Sequence, residues 1–130
     1  MTETPRSALP QVTRELIDLA ESNLLGSLLV AGSDGDTGAI QAVRQIIRAE
    51  DFSREQYRHI YRAMLAGKTD QISVAEAMHR AGTLQNGDIP AMSLMVADVI
   101  GLDCETYSRS VRTLADERRG NKRPVVRGSV

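Results

Sequence analysis

The residues able to do chemistry are few, and their spacing does not gather them. The stretch GSDGDTG (32–38) is the one glycine-rich loop, and it offers Asp34 and Asp36 where a phosphate cradle would want a lysine. Asp-x-Asp also opens a calcium loop. That pattern needs a ligand at the fifth position and a glutamate at the twelfth, and here Gly38 and Gln45 stand there. A polar surface loop is the expectation. His59 and His79 lack the HxxxH or HExxH spacing of a metal site, and His59 is expected at a solvent-facing rim. Cys104 is the only cysteine, so it forms no internal disulfide and no zinc site. In the first turn of a predicted helix its thiol pKa would be lowered by the helix dipole. Without a neighbouring histidine it reads as a small, partly buried side chain and not as a nucleophile. No catalytic residue, metal or cofactor is expected.

Charge is distributed more tellingly. The 130 residues are 42% apolar and 25% charged with a net charge of −1, an ordinary globular balance sufficient for one core. Residues 118–130 hold Arg118, Arg119, Lys122, Arg123 and Arg127 and no acid, while the other 117 hold 11 bases against 17 acids. These five cations are the candidate phosphate contacts, for a weak DNA contact through the tail alone. Phe52, Tyr57, Tyr61 and Tyr107 are the only aromatics, a poor supply for stacking bases. No secretory signal and no membrane-spanning run are present, so a soluble cytoplasmic protein is expected.

The elements that would carry these residues read as helix throughout. Leu16, Leu19, Ala20, Asn23, Leu24, Ser27, Leu28 and Ala31 repeat at helical spacing, predicting a long first helix capped at Thr13 and stapled by Val12 and Ile17. Gly26 inside it predicts close approach of another helix. A second helix carries Ile40, Val43, Ile46 and Ile47. Ser53 and Gln56 form a predicted capping box for a third, with Phe52 and Tyr57 as its staple, a stripe of Tyr57, Ile60, Tyr61, Met64 and Leu65, and Gly67 as its stop. Ser73 and Glu76 open a fourth, with Val74, Ala77, Met78 and Ala81, ending at Gly82. Pro90 lies in the first turn of a fifth, with Leu94, Met95, Val96, Val99 and Ile100. A sixth begins near Asp103, with Leu102 and Tyr107 as staple and Val111 and Leu114 as stripe. Met64, Met78, Met92 and Met95 read as core filler. The fold is therefore predicted all-α, a compact bundle of about six short helices over 13–119, between an N-terminal arm (1–12) and a flexible basic tail (120–130).

Four segments also match a family pattern. AESNLLGSLLV (20–30), EDFSREQYRHIYRAML (50–65), ISVAEAMHRAGTLQN (72–86) and TYSRSVRTLADERR (106–119) resemble, in order and spacing, segments of the N-terminal domain of bacterial replicative helicases of the DnaB type. The resemblance implies an all-helical, non-catalytic interaction domain that assembles helicase rings and docks to primase or to a helicase loader. The ATPase of such helicases lies in a separate C-terminal domain, which these 130 residues lack, as they lack the helical hairpin that follows the closing helix. The expected role is a protein–protein interaction module of DNA replication, with replicative helicase, loader or primase as partner. A small dimeric DNA-associated protein is the alternative. Apolar surface left open by the missing hairpin predicts a homodimer, with contacts drawn from Met92, Met95, Tyr107 and Val111 more than from the first helix.

Overall fold

Leu24, Leu25, Leu28 and Leu29 share one side of a helix by their spacing, and all four are fully buried. They belong to α1 (Gln11–Ser33), around which the other elements assemble. The structure, a computed structural model, describes residues 11–100 and 103–120. After α1 come α2 (Gly38–Val43), a single 3₁₀ turn (Ala49–Asp51), α3 (Glu55–Ala66), α4 (Gln71–Ala81), α5 (Asp88–Asp98) and α6 (Cys104–Arg118). There is no strand among the described residues, and the fold is all-α. No helix among them is long and apolar enough to cross a membrane.

Helix α1 packs mainly along α5 and α6, while α3 packs on α4 and on the 3₁₀ turn. Gly26 shows how tight the first of these contacts is. A Cβ there would collide with the Met95 carbonyl of α5, 2.9 Å from its carbon, so the close approach expected from the sequence is real. Phe52, Tyr61, Ile60, Met64, Met78 and Met92 fill the opposite side of the core, fully buried. The Phe52 and Tyr61 rings meet at 5.1 Å, tilted by 46°.

Several local expectations are corrected. Helix α1 already runs from Gln11, so Thr13 is inside it and not its cap. The side chains of Val12 and Leu102, proposed staple members, lie outside the described residues. Gly32 and Ser33 finish α1 and Gly38 opens α2, which shortens the loop to 34–37. There the Asp36 carboxylate accepts the N–H groups of Gly38 (3.0 Å) and Ala39 (3.3 Å), acting as a helix-start acceptor. Helix α4 starts earlier than Ser73, because Asp70 is its cap and accepts the Ser73 N–H at 3.1 Å. The Ser53–Gln56 box does not form either. Arg54 occupies the cap position of α3, and both box residues bond to distant carboxylates: Ser53 to Glu21, Gln56 to Asp88 at 2.8 Å. Phe52 and Tyr57 are nonetheless both buried, Gly67 and Gly82 follow the last residues of α3 and α4, and Pro90 lies in the first turn of α5. Asp103 caps α6, accepting from Thr106 N–H (3.1 Å) and Oγ1 (2.7 Å).

Candidate docking groove between the first and last helices

The apolar residues of α1 do not all face inward. Leu16 and Leu19 are 52% and 51% exposed, although the sequence spacing groups them with Leu24 and Leu28. One turn further along α1, Asn23 turns inward and works as a clamp. Its amide donates to the Leu19 carbonyl at 2.9 Å and its side-chain oxygen accepts the Ile100 N–H at 3.0 Å. That bond fixes the chain after α5 against α1 and leaves the Ile100 side chain 78% exposed. From α6, Tyr107 and Leu114 come up half-buried on the far side. Together these residues line an apolar groove of about 550 Å³, rimmed by Thr106, Thr113 and Arg109. Exposed apolar side chains gathered in one concavity are what a docking surface requires.

Behind the groove a buried ionic cluster sets how α1 and α6 sit. Glu21 is 1% exposed. Its carboxylate accepts the Ser53 N–H (3.1 and 2.9 Å) and the Ser53 hydroxyl (2.9 Å), and Arg118 of α6 approaches to 3.9 Å. Burial raises its pKa above 4.5, against the opposing pull of Ser53 and Arg118. Asp51, also 1% exposed, accepts the Arg48 N–H at 2.9 Å and pairs with Arg119 at 2.8 Å. Arg118 adds a bond to the Asp51 carbonyl (3.1 Å) and Arg119 one to the Glu50 carbonyl (2.9 Å). Arg118 Nη1 is left buried without a hydrogen bond. The last turn of α6 is thus latched to α1 and to the 3₁₀ turn by charge.

This places the candidate residues. Arg118 and the exposed Arg119 are both engaged by Glu21, Asp51 and backbone carbonyls; Lys122, Arg123 and Arg127 lie outside the described residues. Met92, Met95 and Val111 are core, 0%, 6% and 0% exposed. An interface cannot draw on side chains that the monomer has already buried, so the expected weighting is reversed: Tyr107 alone of the four lines the groove, and the first helix supplies its most exposed leucines. Leu94, placed on the apolar stripe of α5, is 61% exposed as well. Cys104 is buried, and burial pushes its thiol up to about 11, overriding the helix dipole that predicted a lowered value. His59 sits half-buried at a rim, 3.7 Å from Glu55, and His79 is exposed near the end of α4. No three His, Cys, Asp or Glu among the described residues come together as a metal site. Sequence reasoning missed Glu21 and Asp51 altogether.

Three comparisons with known proteins bear on this arrangement. The DnaB-like helicase N terminal domain family matches residues 16–113. A solved structure, the N-terminal domain of DnaB helicase from Mycobacterium tuberculosis, superposes with a TM-score of 0.68 at 27% identity, over 78% of this chain and 72% of that one. No curated protein matches.

Proposed function

The chain belongs to the family of DnaB-like helicase N-terminal domains, and on that premise we propose that it is a non-catalytic docking module of DNA replication, working in the cytoplasm and binding a replicative helicase, a helicase loader or a primase. The observation that carries this reading is the α1–α6 groove, whose Leu16, Leu19 and Ile100 remain half or more exposed in the folded chain. Apolar surface of this kind gains free energy only when something covers it. The chain has no phosphate-binding loop, so the purified protein is expected neither to hydrolyse ATP nor to unwind duplex.

The test is binding of the purified chain to the helicase, loader and primase of the same source, each separately. Leu16→Asp and Leu19→Asp, at exposed positions, should leave the helical fold intact and weaken binding at least tenfold. Undiminished binding by both variants removes the groove from the reading, and failure to bind any of the three removes the docking role. Salt separates apolar docking from phosphate contact: the first should vary little, whereas a tail gripping DNA would lose affinity steeply as salt rises.

A further inference from the structure

The walls of the groove decide the backbone of what can fill it. Leu16 to Asn23 on α1 form one wall and Thr106 to Leu114 on α6 the other, and helical main-chain groups are already paired within their own helix. Neither wall therefore presents an edge of free N–H and C=O groups. An extended occupant would bury its peptide groups here without partners. A helix brings its main chain already paired and needs only side-chain contact. The floor makes the same demand. Asn23 is 6% exposed, its nitrogen donates to the Leu19 carbonyl and its oxygen accepts the Ile100 N–H, so apolar side chains are what fits above it.

Length and charge narrow the occupant further. Leu16 to Asn23 and Tyr107 to Leu114 are both seven-residue intervals, about 10.5 Å at the helical rise. Apolar anchors at i, i+3 or i+4 and i+7 of a docked helix span the same two turns. Among the described residues that line the groove, Arg109 alone is charged, and its side chain is 64% exposed. Its contact with Glu105, one turn back on α6 at 3.5 Å, is an exposed pair that contributes little. A carboxylate carried in by the occupant would meet the guanidinium fork as water leaves, which strengthens the attraction. A lysine or arginine at that point would be repelled. A second copy meeting through the same groove would set Arg109 against an equivalent lining that holds no acid among the described residues.

We infer, resting on the docking reading above, that the α1–α6 groove takes an amphipathic α-helix of a partner protein, with apolar side chains over Leu16, Leu19 and Tyr107 and one Asp or Glu against Arg109. An extended segment, a helix basic at that position and a second copy of this chain are all excluded as the occupant.

The probe is a displayed library of random peptides of about 16 residues, enough for four turns, selected on the full chain with soluble Leu19→Asp as competitor. Enriched sequences should carry the i, i+3 or i+4, i+7 apolar pattern with an Asp or Glu beside it and no proline inside it. A synthetic copy of one should gain helical circular dichroism on binding. Arg109→Glu should weaken it at least tenfold, and exchanging the peptide's acid for lysine should restore binding to that variant. Both substitutions fall at exposed positions, and Leu16→Asp serves as competitor if Leu19→Asp alters the helical spectrum. Enrichment of proline-rich or alternating sequences, indifference to Arg109→Glu, or no enrichment over the competitor overturns the proposal. So does a concentration-dependent dimer in sedimentation that Leu19→Asp dissociates, because a second copy would then be the occupant. The two readings fail separately. Extended peptides selected at the groove would leave docking standing. Helical peptides selected there, with helicase, loader and primase all failing to bind, would remove only the replication role.

Discussion

The two halves of α1 bury the same face but fill it differently. From Leu24 to Leu29 the helix is conventional, with four leucines at zero exposure and Gly26 pressed against the Met95 backbone. From Leu16 to Glu21 the same inward face carries Ile17, 4% exposed, and a glutamate, 1% exposed, while two leucines on the other face are half exposed. The second arrangement forgoes apolar burial at Glu21 and confines a charge that must then be satisfied. Its return is geometric. Glu21 receives Ser53 and Arg118, which fixes the end of α6, and the leucines turned outward make one wall of the groove. Stability resides in one half and recognition in the other.

Truncation tests this division most strongly. Leu25→Ala should cost about 2–5 kcal/mol, the range for a fully buried leucine, while Leu19→Ala should stay within about 0.5 kcal/mol. Equal losses in chemical denaturation would erase the contrast. Glu21→Ala comes next, at about 2–3 kcal/mol. It removes the acceptor of the Ser53 N–H and hydroxyl and leaves Arg118 facing an empty site. A near-neutral result would mean that the buried charge holds nothing in place.

Ser53→Ala should cost about 1 kcal/mol, an ordinary hydrogen bond. The mechanism shows in the pair, because the hydroxyl bonds Glu21 and does not cap α3. Ser53→Ala added to Glu21→Ala should therefore cost little more than Glu21→Ala alone. Full additivity would restore the cap.

The smallest effect is a matter of sign. Burial raises the Glu21 pKa, so the folded chain binds this proton more readily than the unfolded chain. Its contribution is complete below the ordinary value of 4.5 and is lost as pH rises through the folded value. Asp70 is shifted down by its bonds to Ser73, so its contribution is present above 3.8 and is lost as pH falls through the folded value. Unfolding followed against pH should show the gap between wild type and Glu21→Gln moving in the variant's favour as pH rises. For Asp70→Asn it should move in the wild type's favour. Parallel trends would contradict the burial of Glu21 as the source of its shift.

Helix periodicity and stop residues made the all-α fold and most helix positions legible, since these signals act within one or two turns. Gly26 was legible for the same reason: a helix-breaking residue inside a strong apolar pattern requires a neighbour. Capping failed where a distant group won. Ser53 and Gln56 have capping-box spacing, yet Glu21 and Asp88, each 32 residues away, take their hydrogen bonds. Ser73 and Glu76 mimic a helix start three residues inside the true one at Asp70. The groove was illegible because spacing alone cannot say which part of a broad apolar stripe meets a neighbour. Leu16 and Leu19 lie about 150° round the helix from the centre of the buried leucine face, a rotation that a mixed three- and four-residue spacing conceals. A different argument, apolar surface left open by the missing hairpin, puts Met92, Met95 and Val111 at an interface, whereas spacing reads the methionines as core filler, as they are.

Cys104 has a practical consequence of its own. It is the chain's only sulfhydryl. Burial pushes its titration up to about 11, so the thiolate, the form that attacks an alkylating reagent, is scarce at pH 7. In the folded chain the group is silent. It becomes competent when the first turn of α6 opens and the thiol regains solvent. The alkylation rate is thus a built-in clock for that opening, read from the mass of the adduct with no substitution made.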